Sequence, residues 1–250
     1  MNKILLIGES CTDTFIYGDC SRLNPEAPTP LINELYRNTF PGMAANVREN
    51  LKVLGFEVDF LTQDEPITKT RYVDDKSNYI LLRVDNDNHP RCIKGIREFD
   101  VAQYDLVIIS DYDKGFLYTS DITSILKRSK LSFIDTKKPI GSWIKEATFI
   151  KINQKEYDNI ENDFNFIAPL TDKFIVTLGE RGATLDGTLY KVPRKVIARD
   201  VVGAGDTFLS AVAGHYYLHN NIDDAINFAN LCASQVVSKR GIAYPNEKLC

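Results

Sequence analysis

Two glycines around an alanine, followed at once by an aspartate, make Gly203-Ala204-Gly205-Asp206 the most chemically suggestive run in the chain. Such a backbone can approach an anion closely, and a helix starting there aims unpaired N–H groups and its positive dipole end at the same anion. Asp206 would then fall in the first helical turn, placed to accept the proton of an incoming hydroxyl as a phosphoryl group is transferred. The same residues also suit a plain strand-to-helix turn with Asp206 as a capping group, so the run alone does not decide. No GxxxxGK[ST] pattern occurs, which excludes a Walker-type loop as the phosphate holder.

Two further spacings carry possible chemistry. Asn153 and Glu156 put oxygen-bearing side chains three residues apart, which suits one hard cation or, equally, a helix cap with its capping box. His215 and His219 stand four apart on one helical face, a metal-binding interval. With only His89 besides and no paired cysteines or HExxH nearby, they are expected to pack or to face water.

These groups need a scaffold, and the hydrophobic pattern describes one. Short apolar runs at 4–7, 106–109, 133–134, 149–152 and 174–178 suit strands covered on both faces. Helical stretches at 44–54, 120–129, 206–218 and 223–237 fall between or after them, so the fold class is α/β with a mostly parallel sheet flanked by helices. Residues 14–40 and 68–90 read differently, as strands without intervening helices, and are expected to form a small β-sheet lid on a single domain spanning 1–250. Asn24-Pro25, Ala27-Pro28 and Thr29-Pro30 should stiffen the loop inside that lid.

Bulk properties narrow the partners. With 250 residues, 44% hydrophobic and 26% charged, the chain can bury a sizeable core and is not disordered. A net charge of −4 argues against nucleic acid and anionic membranes as partners. Cys11, Cys20, Cys92, Cys232 and Cys250 form an odd set without a CxxC pair and are read as thiols of a reducing compartment. Lys3-Ile4-Leu5-Leu6-Ile7 is too short and too soon polar for a signal peptide or a membrane span, which makes the cytoplasm the expected location.

The segment Asp200-Val201-Val202-Gly203-Ala204-Gly205-Asp206-Thr207-Phe208, with Ser210-Ala211-Val212-Ala213 after it, closely resembles the C-terminal signature of the ribokinase-like (PfkB) carbohydrate kinases. The resemblance implies a ribokinase-like fold, Asp206 as catalytic base, and the Gly203, Ala204 and Gly205 amides as an anion hole. ATP and Mg2+ are the implied cofactors, with a sugar or sugar phosphate as acceptor. Gly8 and Asp13 resemble the family's opening motif, in which the aspartate binds sugar hydroxyls. Pro41-Gly42-Met43-Ala44-Ala45-Asn46-Val47 is similar to its di-glycine motif, implying sugar contacts at Gly42 and Asn46, with Met43 where the second glycine usually lies. Asn153-Gln154-Lys155-Glu156 resembles the NxxE element that places magnesium through water. Val176-Thr177-Leu178-Gly179-Glu180-Arg181-Gly182 is similar to the segment along the nucleotide, so Thr177, Gly179, Gly182 and Asn230 are expected to bind it. Asp200 and Gly241 match positions around a monovalent-cation loop of some relatives, which adds K+ as a candidate.

Ser21-Arg22-Leu23-Asn24-Pro25-Glu26-Ala27-Pro28-Thr29-Pro30 resembles the proline-rich loop of heptose 7-phosphate kinases within that family. Thr68-Lys69-Thr70-Arg71, Arg83-Val84-Asp85 and Ser110-Asp111-Tyr112-Asp113-Lys114-Gly115 are similar to motifs there, with Asp113 in place of a small residue. The expected acceptor is therefore the anomeric hydroxyl of a heptose 7-phosphate, bound by Asp111 and by cations among Arg22, Lys69, Arg71, Arg83, Lys114 and Lys137. Between Gln63 and Thr68 only four residues stand where relatives carry a long helix and strand. No HxGH motif occurs, so a nucleotidyltransferase activity is not expected. The alternatives are another kinase of the family, acting on a fructose phosphate, a nucleoside or a different sugar, and a catalytically idle nucleotide- or sugar-binding protein. Unsatisfied edges of the lid sheet point to a homodimer through the lid strands.

Overall fold

A computed structural model describes residues 3–87, 90–96, 98–160, 168–193 and 196–249. At its centre β1 (Ile4–Gly8) is buried along its whole length between two parallel neighbours, β4 (Val58–Leu61) and β7 (Leu106–Asp111). The sheet continues through β8 (Ser132–Thr136), β9 (Phe149–Asn153) and β10 (Phe174–Thr177), all parallel, and ends in β11 (Ala183–Leu185) and β12 (Thr188–Tyr190), both antiparallel.

Strand alternation explains the continuous apolar runs. Ile4 and Leu6 face one side with Leu106 and Ile108, and meet α1 (Ala44–Val53), α4 (Ala204–His219) and α5 (Ile222–Val237) through Leu51, Val212 and Ile226. Leu5 and Ile7 face the other side with Val107 and Ile109, against Ile122 and Ile125 of α2 (Thr119–Arg128). A short α3 (Gln154–Asp158) follows β9 directly.

The second sheet, ordered β3-β2-β5-β6, is built from β2 (Ser10–Leu23), β3 (Pro30–Met43), β5 (Thr68–Asp74) and β6 (Ile80–Asn86). Its first hairpin starts at Ser10 and returns at Met43, longer at both ends than the expected 14–40. Phe15, Tyr17 and Val73 seat it on Ile242.

Three strands were not expected from the apolar runs. β4 has only four residues, with an aspartate inside it, at the edge of the sheet. β11 and β12 have three residues each and are joined by Asp186-Gly187, with φ of 46° and 74°, the geometry an Asp-Gly hairpin turn requires. No helix among the described residues is long and apolar enough to cross a membrane. Cys11, Cys20 and Cys232 carry free thiols, while Cys250 and His89 lie outside the described residues.

Candidate active site

Gly203 opens α4 with φ of 81°, and the next turn buries Asp206 at the meeting of three segments far apart in sequence. Asn46, from α1, donates from Nδ2 to Asp206 Oδ2 at 2.8 Å. Tyr112, just past β7, donates from its hydroxyl to Asp206 Oδ1 at 2.8 Å. Asn50, one turn on from Asn46, donates to the Asn46 carbonyl at 2.8 Å and accepts from the Thr207 hydroxyl at 2.8 Å, tying α1 to α4. Burial pushes the Asp206 carboxyl above its ordinary value, against the pull of the Asn46 and Tyr112 donors and of the Lys151 charge. A shielded carboxylate with fixed donors on each oxygen can take a proton from an alcohol.

The glycines are explained by what a side chain would strike. A Cβ at Gly203 would lie 2.8 Å from Asn46 Nδ2, one at Gly205 3.1 Å from Lys151 Nζ, and one at Gly42 2.2 Å from Asp13 Oδ2. Met43 has φ 58° and ψ −134°, backbone that glycine adopts and other residues resist, so it pays conformational strain where the resemblance expected a second glycine. The Ala204 amide donates to Val201 O at 3.3 Å, a turn bond that engages one of the three amides assigned to the anion hole.

On the lid side, Asp13, Lys69, Arg71 and Val73 point inward because β2 and β5 run parallel and in register, Asp13 beside Lys69 and Phe15 beside Arg71. Asp13 and Arg71 form a buried ion pair. Cys11 sits against Asp13, and burial pushes its thiol up to about 12. Lys69 is only 8% exposed, forms no ion pair among the described residues, and lies 5.2 Å from the centre of the Tyr112 ring.

Other expected acceptor contacts are differently placed. Arg22 is exposed near the outer end of β2, nine residues from Asp13 along the same strand, or roughly 30 Å at the rise of an extended chain. It therefore does not join the Asp13 cluster of its own chain. Arg83 is exposed and paired with Asp85, and Lys114 is paired with Asp87. Asp111 is buried, accepting from the Thr136 hydroxyl at 2.5 Å and from Lys138 Nζ at 3.2 Å; burial, then the Glu9 charge, push its carboxyl up. Its oxygens organise the loop and do not open toward a ligand.

The nucleotide-side expectations converge better. Thr177, Gly179, Gly182 and Asn230 line one cavity of about 300 Å³ together with Ala204 and Gly205. Asn230 also donates to Tyr190 O at 2.9 Å, which fixes its side chain at the cavity wall. Asn153 and Glu156 form a reciprocal capping box, Glu156 N to Asn153 Oδ1 at 2.9 Å and Asn153 N to Glu156 Oε2 at 2.8 Å, and Lys137 Nζ donates to Glu156 Oε1 at 2.6 Å. A carboxylate already matched by a lysine fits a magnesium ion through water better than by direct ligation. Among the described residues no group of three or more His, Cys, Asp and Glu side chains is placed to hold a metal ion; the rings of His215 and His219 lie 4.4 Å apart, and His215 packs against Phe228.

Three site residues escaped the motif reading. Glu9, fully buried, accepts from the amides of Tyr112, Lys114 and Phe116 at 2.8, 3.0 and 3.3 Å and so shapes the loop carrying Tyr112. Lys151 and Asp135 pair at 2.5 Å beneath Gly205; burial opposes the Asp135 charge, but Lys151 and Lys137 hold its carboxyl below the usual range. A lysine inside the apolar run Phe149-Ile150-Lys151-Ile152 was the legible signal, since a buried charge needs a partner.

Residues 98–249 match the model of the pfkB family carbohydrate kinases. The chain is 30% identical to the bifunctional protein HldE of Nitratiruptor sp. over 292 residues, covering 96% of this chain and 62% of that protein. It is 30% identical to the HldE of Campylobacter fetus over 298 residues, covering 97% of this chain and 64% of that one. The chain thus spans less than two thirds of these relatives. In fold it is similar to the ribokinase of Thermotoga maritima (TM-score 0.74, 17% identity, 97% and 95% of the two chains). It is also similar to phosphofructokinase-2 of Escherichia coli in complex with substrates and products (TM-score 0.73, 14% identity, 98% and 96%).

Proposed function

The chain belongs to the pfkB family of carbohydrate kinases, and from that premise we propose that it transfers the γ-phosphoryl group of ATP to a hydroxyl of a phosphorylated sugar. The observation that carries this reading is the position of Asp206. Its carboxylate is held between Asn46 and Tyr112, one residue from Gly205 of the cavity that gathers Thr177, Gly179, Gly182 and Asn230. Nucleotide on one side and alcohol on the other would meet at this carboxylate.

In the proposed reaction ATP lies along Gly179 and Gly182 with its terminal phosphate toward the Gly203-Ala204-Gly205 turn. Asp206 accepts the acceptor's proton as its oxygen attacks phosphorus, while the start of α4 and Lys151 stabilise the charge on the migrating group. Magnesium, carried by the nucleotide and held through water by Asn153 and Glu156, would neutralise phosphate charge. Asp13, Gly42 and Asn46 position the sugar. Potassium is proposed for a site near Asp200 and Gly241, the positions matching the monovalent-cation loop of some relatives.

A phosphorylated acceptor is favoured over a neutral one because Lys69 is a nearly buried cation without a carboxylate partner among the described residues, close to the base. Removing that charge from water is costly unless an anion arrives. The HldE relatives make a heptose 7-phosphate the first acceptor to test, with a fructose phosphate next. ADP release measured over heptose 7-phosphate, fructose 6-phosphate, ribose and a nucleoside decides among them. Turnover only with unphosphorylated acceptors would overturn the assignment, and wild-type turnover in Asp206→Asn would remove the base.

We also propose a homodimer through the lid. Its two edge strands, β3 and β6, expose Leu35, Ile80, Leu82 and Val84, an apolar surface that a second copy would cover. Light scattering that finds only monomer at micromolar concentration would refute it.

A further inference from the structure

Tyr112 touches both the base and the cationic side of the site. Its hydroxyl donates to Asp206 Oδ1 at 2.8 Å, while Lys69 and Lys137 lie 5.2 and 5.9 Å from its ring centre. The ring lies under those cations, and its backbone is held by Glu9, whose carboxylate accepts from the Tyr112 amide at 2.8 Å. Opposite it, Asn46 takes the other carboxylate oxygen. With each oxygen of Asp206 given one fixed donor, the carboxylate cannot rotate about its Cβ–Cγ bond without breaking a buried hydrogen bond.

We propose that Tyr112 is a positioning residue of the phosphoryl transfer: its hydroxyl fixes the orientation of the Asp206 carboxylate and keeps it ionised, leaving the remaining lone pairs for the acceptor alcohol. This rests on Asp206 being the base. A phenol suits the task because burial, with the Asp206 charge beside it, keeps its proton on at any working pH, so it can only donate.

The groups facing Asp206 are few. Asn46 comes from α1, Cys11 from β2, Asp135 and Lys151 from β8 and β9, and Tyr112 from the loop after β7, with Lys69 and Arg71 of β5 behind Cys11. Cys11 stays a neutral thiol and Asp135 stays ionised well into acid, held by Lys151 and Lys137. Asp111, whose carboxyl burial also raises, is turned to Thr136 and Lys138, so the limb that moves when the Tyr112 hydrogen bond is changed is the one that reports Asp206.

Tyr112→Phe removes the hydroxyl and keeps the ring beside the lysines. ADP release with heptose 7-phosphate across pH should show kcat reduced about 10-fold at neutral pH, as for one lost hydrogen bond to a charged group. The acid limb should move to higher pH, with both KM values within about twofold of wild type. Incorporating 3-fluorotyrosine at 112, a stronger donor of nearly the same shape, should move the limb to lower pH and tests the same bond without loss of packing. An unmoved limb in both proteins overturns the proposal, as does a raised KM with unchanged kcat. Asp206→Asn, assayed in parallel, separates the two ideas: if it is active the base is misassigned, and if it is inactive while both Tyr112 variants behave as wild type, only the role of Tyr112 fails.

Discussion

Asn46 and Asp206, 160 residues apart in the chain, are joined by a buried 2.8 Å hydrogen bond from the asparagine amide to the carboxylate. The bond makes the first helix part of the machinery that opens the fourth. Asn46→Ala should lower kcat by about 10- to 100-fold, the worth of a hydrogen bond to a charged group, while Asn46→Asp should be worse because it sets two carboxylates together. Steady-state kinetics with ADP release checks both; equal activity in the two variants would contradict the arrangement.

Burial raises the Asp206 carboxyl, so the base is protonated sooner on acidification than an exposed aspartate would be. Activity requires the ionised form and is lost as pH falls through that raised value. The acid limb of kcat/KM should accordingly lie above the ordinary aspartate range, and a limb at or below that range would show that Asp206 is not the titrating base.

Met43 combines a glycine-like backbone with a buried side chain that packs near Cys11 and Ile67. Glycine there relieves strain of about 1–3 kcal/mol and loses about 1.5–3 kcal/mol of burial, so Met43→Gly should change stability little. Met43→Ala loses the burial and keeps the strain. Chemical denaturation should therefore rank Met43→Gly above Met43→Ala, the reverse of the usual order.

At Gly203 both the φ of 81° and the 2.8 Å approach to Asn46 Nδ2 oppose a side chain. Gly203→Ala is expected to cost about 1–3 kcal/mol of stability through strain and to displace Asn46 from the base. Turnover should drop at least as far as in Asn46→Ala, and a fully active Gly203→Ala would show that the turn has more room than the structure gives it.

Removing Arg71 leaves Asp13 as a buried, uncompensated charge. Arg71→Met should destabilise the protein by about 3–5 kcal/mol, and adding Asp13→Asn should recover a large part of that. Denaturant midpoints of the two variants, with acceptor KM measured on the double mutant, separate the stability role of the pair from its part in binding.

Much of this was readable beforehand. The strands at 4–7 and 106–109, the helices at 44–54 and 206–218, and the convergence of Thr177, Gly179, Gly182 and Asn230 with Ala204 and Gly205 follow from apolar period, glycine placement and the PfkB resemblance. The second sheet was also readable, since residues 14–40 and 68–90 read as strands without intervening helices. The distance of Arg22 from Asp13 and the partners of Asp111 were not readable, because a motif does not say how far a strand carries a residue or which groups occupy its oxygens.

By itself the chain's order of residues determined the α/β class, the glycine turn and the aspartate after it, because local backbone freedom and hydrophobic period are properties of neighbouring residues. Only the tertiary structure decided that Asn46 and Tyr112 clasp Asp206, that Glu9 shapes the Tyr112 loop, and that Lys69, among the described residues, lacks the carboxylate that Arg71, Arg83, Lys114 and Lys137 each have. The clasp on Asp206 and the Glu9 contacts join groups about a hundred residues or more apart. Their pairing depends on strand register and helix docking, and the charge on each buried group depends on what that docking leaves around it.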